Sequence, residues 1–239
     1  MAEPFSESWF YAPGLEKPGD RYLLPDEEAH HMRKVLRIRA GESVIASNGH
    51  GGVFTCRTRE NKGYIELEAE GALPVSGKPY SLTMVLSLLK GRDLEEPVEA
   101  LVQLEVARIA IVLTDHSQEF KGQDHSGLVK RLRAKSVIGL KQAKKPWLTE
   151  IEEPVDLRTW RKRNPGMNMV VLEPGEDRMP QSREEWMAIL CGPEGGFSDR
   201  ELEWMKVEGG YQMGLGTTRI RAIHAPLISF GKLLGLRVV

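Results

Sequence analysis

The chain has 239 residues, 41% of them hydrophobic and 28% charged, with 33 lysines and arginines against 34 aspartates and glutamates for a formal net charge of −1. At roughly 150 residues per domain this makes one to two domains, each able to bury a core, and the apolar share with the small net charge excludes a disordered chain. A uniformly basic nucleic-acid binder is excluded too, although a local basic face is not.

Two cysteines, Cys56 and Cys191, are too few for a disulfide framework and fit a reducing cytoplasm. The opening MAEPFSESWF lacks a signal-peptide pattern, and no stretch nears the ~20 apolar residues of a membrane helix. The expectation is a cytoplasmic protein without a membrane partner.

The first part of the chain reads as short strands over 42–48, 52–59 and 64–70, with rough apolar–polar alternation and glycines between them. One short helix interrupts them: Pro25-Asp26 opens it and residues 27–37 continue it, with Ala29, Met32, Val35 and Leu36 at helical spacing. The Gly-, Pro- and Ser-rich stretch 71–81 has no periodicity and marks a domain boundary.

After it the rhythm alternates. A strand is expected over 82–89, a helix over 93–107 with Asp93 as cap and Pro97 in the first turn, and a strand over 108–114. A helix over 127–143 stops at Pro146, and strands follow at 167–173 and 187–192. Ser198-Asp199-Arg200-Glu201 is a capping box opening a helix that ends at Gly209-Gly210. A strand over 211–216 and a helix over 226–235, with Pro226 in the first helical position, close the chain. Such alternation predicts an α/β fold: a mostly parallel sheet with helices on both faces.

The sharpest local feature is CGPEGGFSDRE at 191–201, a glycine turn between a buried strand and a capped helix. α/β proteins bind ligands at such places, and Gly192, Gly195 and Gly196 would let backbone approach a ligand closely. The pattern is neither a dinucleotide fingerprint nor a P-loop. The loops 172–180 and 214–222 share this character, so three strand ends could converge on one crevice.

Basic residues cluster at 121–145, where Lys121, Lys130, Arg131, Arg133, Lys135, Lys141, Lys144 and Lys145 face one acid, Asp124. The N-terminal helix adds Arg33, Lys34, Arg37 and Arg39. Segregated charge of this kind can hold a polyanion through salt-sensitive phosphate contacts. The six histidines show no metal-ligand spacing, so no metal is expected, and His30-His31 reads as one surface and one packed histidine. Cys191 reads as an inert core thiol, and Trp147, Trp160, Trp186 and Trp204 as packing rather than base-stacking platforms.

HMRKVLRIRAGE (31–42), LLKGRD (88–93), LKQAKKPWLTEI (140–151), LCGPEGGFSDRELE (190–203) and LGTTRIRA (215–222) stand in one order. On these motifs the chain resembles, over essentially its whole length, the ribosomal RNA small subunit methyltransferase E family. VLR-x-x-x-G followed by GPEGGFS is much more specific than either piece.

The resemblance implies a small PUA-like β-barrel for RNA over 1–74 and a SPOUT-type methyltransferase domain over 75–239, with a trefoil knot near its C-terminus. It implies a homodimer that uses S-adenosylmethionine to methylate N3 of a uridine in 16S ribosomal RNA of the small ribosomal subunit. Its cofactor positions fall on Leu172, Glu173, Pro174, Leu190, Gly192, Pro193, Glu194, Gly195, Leu215, Gly216 and Ile220. RNA would lie on His31, Arg33, Lys34, Arg37 and Arg39, and on Arg131, Arg133 and Lys135.

Methyl transfer from a sulfonium is an in-line displacement that needs positioning more than covalent catalysis. Uridine N3 carries a proton at neutral pH, so a base must take it or a cation must stabilise the forming anion. Arg221 matches the family's arginine in the last motif, and its expected role is to anchor the target phosphate or stabilise that anion.

This chain departs from the family where substrate would lie. Ala222-Ile223-His224 replaces the usual Thr-Glu-Thr, which removes a carboxylate and makes His224 the second catalytic candidate. Thr218 stands for an arginine, with Arg219 one position on; Ala100–Glu105 replaces Lys-Ala-Thr-Glu-Leu-Gly; His116 replaces a loop arginine, while Gln142 matches. Two other readings keep the fold: a methyltransferase with a different RNA target, and a non-catalytic RNA-binding protein. Cofactor binding separates the second of these from the enzymes.

Overall fold

In the computed structural model, residues 8–75, 77, 79–120, 122–175 and 187–235 are described. The chain divides into two compact units, one of residues 1–79 with 137–148 and one of residues 80–136 with 149–239.

The first unit is a five-stranded sheet in the order β1-β3-β4-β5-β2, made of β1 (Trp9–Tyr11), β2 (Arg21–Leu23), β3 (Ser43–Ser47), β4 (Val53–Asn61) and β5 (Tyr64–Ala72). β1 runs parallel to β3 and the other pairs are antiparallel. Alternation along β4 and β5 sends Phe54, Cys56, Ile65, Leu67 and Ala69 into one core with Phe10, Leu15 and Val44. A register shift between Thr55 and Cys56 bends the long β4–β5 ribbon. Helix α1 (Asp26–Lys34) adds Ala29 and Met32 to that core. Three of these strands are those expected; β1 and β2, of three residues each, are too short to carry a readable alternation.

α1 ends earlier than its spacing predicted. Val35 caps it, Arg37 takes a left-handed backbone at φ 57°, and Val35 and Leu36 stand exposed. His30 and His31 are both exposed, so neither is the packed histidine expected.

The second unit is an all-parallel sheet in the order β12-β10-β11-β6-β7-β8, with β9 paired to β7. Its strands are β6 (Tyr80–Ser87), β7 (Val106–Leu113), β8 (Glu150–Ile151), β9 (Val155–Asp156), β10 (Asn168–Leu172), β11 (Met187–Cys191) and β12 (Tyr211–Met213). The central strands are almost wholly buried, as a sheet covered on both faces requires. Val85, Ala110, Val112, Val171, Ala188 and Leu190 share one core with Trp160 of α4 (Leu157–Arg163) and Met205 of α5 (Asp199–Val207). The alternate residues point the other way, where α2 (Glu95–Gln103) meets β7 and α6 (Ala225–Gly235), and α6 meets β11. α3 (Ser126–Ala143) begins in this unit and ends in the first.

Several boundaries differ from the expectations for local reasons. α2 stops at Gln103, not 107, because Glu105 turns left-handed at φ 60° and Val106 already starts β7. Leu94, not Asp93, caps it, without a side-chain bond. α6 starts at Ala225, which puts Pro226 second, where its missing N–H is still no loss. Trp160 is fully buried, the Trp147 ring lies against Gly51, and Trp204 carries the Arg158 guanidinium 4.7 Å above its ring, so all three pack as expected. Trp186, Lys121 and residues 176–180 of the second loop fall outside the described residues.

Candidate active site

Because the strands of the second unit are parallel, their carboxyl ends lie on one edge. There the loops after β7, β10, β11 and β12 gather. Hydrogen bonds tie them in pairs. The Glu173 N–H donates to the Met213 carbonyl at 3.1 Å, and Gly175 forms an antiparallel bridge with Gly216, joining the β10 and β12 loops. Lys232 of α6 reaches the Gly214 carbonyl at 3.0 Å, which steadies the turn that ends β12 after only three residues.

The β7 and β11 loops are joined by side chains. Glu201, 5% exposed, accepts the N–H of Asp115 at 2.8 Å and of Ser198 at 2.9 Å. The Ser198 hydroxyl accepts from the Glu201 N–H at 3.2 Å and donates to the Asp115 carboxylate at 2.6 Å. The expected capping box therefore exists and also clamps a second loop. His116 Nδ1 stands 2.8 Å from the Gly196 carbonyl. Asp115 carries no motif of its own in the sequence; only the position of its loop at a strand end could have drawn attention to it.

The glycines have distinct reasons. A Cβ on Gly192 would sit 3.2 Å from the backbone of Gly196 and Phe197, so this glycine closes the turn on itself. One on Gly195 would meet the His116 ring at 3.3 Å. Gly175, Gly196 and Gly216 have φ of 152°, 73° and 117°, and a Cβ there would meet nothing within 4 Å. Those three leave open room beside backbone at the sheet's carboxyl edge, so no side chain there blocks a ligand's approach.

Other expected cofactor positions divide by burial. Leu190 is fully buried in the core with Trp160, so only its backbone could face a ligand. Leu172 and Pro193 are buried, Glu173, Leu215 and Ile220 are half-buried, and Pro174 and Glu194 are exposed. Burial pushes the Cys191 thiol up despite a hydrogen bond with Ser229, which fits an inert thiol. Arg221 and His224 are exposed in the turn before α6, where the His224 N–H and the Ala225 N–H both donate to the Arg221 carbonyl.

The basic residues of α3 are matched by acids: Arg131 with Glu95 at 2.9 Å, Arg133 with Glu153 at 2.9 Å and Lys135 with Glu99 at 2.7 Å. That face is thus less positive than its sequence suggests. In the first unit Arg33 pairs with Glu60 at 2.8 Å, whereas Lys34, Arg37 and Arg39 form no ion pair among the described residues. Arg33, Arg37, Arg39 and Arg59 line a cleft of about 410 Å³. No helix is long and apolar enough to cross a membrane, among the described residues.

A buried parallel sheet with glycine loops at its carboxyl edge, and a second sheet whose cleft is lined by four arginines and Glu60, mark an α/β protein of the ligand-binding class with a basic face. Residues 76–233 match the RNA methyltransferase domain, and residues 24–70 match the RNA methyltransferase PUA domain. The chain belongs to the RNA methyltransferase family, and several of its relatives bear the name ribosomal RNA small subunit methyltransferase E.

The protein of that name from Rickettsia conorii is 24% identical over 226 residues, covering 89% of each chain. Its namesake from Synechocystis is 21% identical over 222 residues, covering 89% of this chain and 72% of that one. The fold is that of the Neisseria gonorrhoeae ribosomal RNA small subunit methyltransferase E, solved bound to S-adenosylmethionine, with a TM-score of 0.86 at 20% identity over 96% of this chain and 98% of that one.

Proposed function

We propose that this chain methylates N3 of a uridine in 16S ribosomal RNA of the small ribosomal subunit, in the cytoplasm, as a homodimer using S-adenosylmethionine. The observation that carries the reading is the open space beside Gly175, Gly196 and Gly216 at the carboxyl edge of a family-matched sheet, which forms the cofactor cradle in this reading. Bound there, the cofactor supplies an activated methyl group on a sulfonium. The trefoil knot implied by the resemblance would lie in the loops that form this cradle.

Backbone groups of Leu172, Glu173, Pro174, Leu190, Gly192, Pro193, Glu194, Gly195, Leu215, Gly216 and Ile220 hold the cofactor in this reading. Backbone carbonyls suit a cation, since they supply partial negative charge without competing as nucleophiles. Arg221, exposed and unpaired among the described residues, anchors the target phosphate or stabilises the forming uridine anion, with His224 beside it.

In the first unit His31, Arg33, Lys34, Arg37 and Arg39 hold RNA by phosphate contacts. Arg131, Arg133 and Lys135 must leave their acid partners to do the same, so their share of the binding is smaller. The domains divide as residues 1–74 for RNA and 75–239 for chemistry.

The test is calorimetric titration with S-adenosylmethionine. Saturable binding of one cofactor per chain supports the reading. No binding by folded protein contradicts it and favours a non-catalytic RNA-binding role.

A further inference from the structure

Resting on that reading, we infer that His116 is the proton acceptor for uridine N3. The loop after β7 ends in a 3₁₀ turn over Asp115–Phe120, and this turn carries the ring to the β11 loop. There Nδ1 lies 2.8 Å from the Gly196 carbonyl, and the ring packs against the Cα side of Gly195. A carbonyl oxygen can only accept, so Nδ1 carries the proton of the neutral ring, and Nε2 keeps its lone pair. The residue is exposed, and its ring stands beside the Gly195–Gly196 turn at the sheet's carboxyl edge.

A base needs such an orienting bond, because a free imidazole samples both tautomers and many directions. The holding bond is itself held. The Asp115 N–H is fixed by buried Glu201, and the Asp115 carboxylate takes the Ser198 hydroxyl. Among the described side chains, the charged groups on the two loops meeting at His116 and on the first turn of α5 are Asp115, Glu194, Asp199, Arg200 and Glu201, four acids and one base. His224 offers no comparable arrangement: its backbone serves the start of α6, and no partner among the described residues orients its ring.

The step balances. Nε2 takes the N3 proton, and the N3 electron pair forms the bond to the methyl carbon. The electron pair of the broken carbon–sulfur bond stays on sulfur, which loses its positive charge. The imidazolium then returns its proton to water.

The experiment compares wild type with His116→Gln and His116→Arg in methyl transfer to RNA across pH, together with ¹⁵N NMR of the His116 ring in cofactor-free protein. The expectation for His116→Gln is a fall in kcat of about a hundredfold, with RNA KM and cofactor affinity little changed. The acid limb of the wild-type pH–rate profile should vanish with it. His116→Arg should be equally slow, and the ring should show a protonated Nδ1 with a bare Nε2.

Wild-type rates in His116→Gln would overturn the inference while leaving the proposed function intact. So would full rescue by arginine, which would make the group a cation, or a ring protonated at Nε2 instead. Wild-type protein that transfers no methyl group would overturn the proposed function, and this inference with it.

Discussion

Replacing Glu201 with alanine removes one carboxylate and leaves two backbone donors without their acceptor. Hydrogen bonds to a charged group contribute about 1.5–3 kcal/mol each. Asp115 is exposed, so its freed N–H rehydrates and its bond falls at or below the lower end; Ser198 is half-buried and loses more. A total near 3 kcal/mol follows. At roughly 2–4 °C per kcal/mol for a chain of this length, the melting temperature should drop by about 6–12 °C.

Glu201→Gln supplies one acceptor oxygen but turns an amide N–H₂ toward the other donor, so its loss should be intermediate. Thermal melts and urea midpoints of the two variants read this directly, and cofactor affinity should fall in the same order because the clamp positions both loops. Glu201→Ala melting within about 2 °C of wild type would refute the reasoning. So would Glu201→Gln proving the worse of the two.

Gly192→Ala should cost about 1–3 kcal/mol, because a Cβ 3.2 Å from the Gly196 and Phe197 backbone forces the turn open; the same variant should weaken cofactor binding in calorimetry. Gly231→Ala, within α6 where a Cβ meets nothing within 4 Å, should instead stabilise the chain by about 0.5–1 kcal/mol in a thermal melt. Burial pushes Glu152 above its ordinary value, with Glu150 adding to the rise and Arg108 opposing it. The folded chain therefore holds a proton that the unfolded chain has lost, and stability falls as pH rises from the ordinary glutamate value through the raised one. Glu152→Gln should flatten that fall in urea midpoints measured from mildly acidic to neutral pH.

Most of the second unit was legible because its central strands are continuous apolar runs and α5 opens on a readable capping box. Ser198–Glu201 announced α5, and the run at 187–192 announced β11. What stayed hidden was short. β8 and β9 have two residues each, below any period that sequence can display, and α4 has seven. Asp156, whose side chain accepts from Arg158 and Thr159, was a cap signal for α4 that no long apolar stripe reinforced.

The loops at 172–175, 192–198 and 214–222 could be picked out by composition, since glycine and proline after a strand mark an approach site. Their joining could not. The bridge between Gly175 and Gly216, and the reach of Ser198 to Asp115 across 83 positions, depend on strand order rather than local pattern. The charge count misled in one respect: Arg131, Arg133 and Lys135 face acids from other segments, which a linear reading cannot see.

The most direct test is transfer of labelled methyl from S-adenosylmethionine to small ribosomal subunits taken from cells lacking this protein, followed by nucleoside analysis. The account predicts label as N3-methyluridine in 16S ribosomal RNA. Label on another nucleoside, or none from protein shown to bind the cofactor, would contradict it.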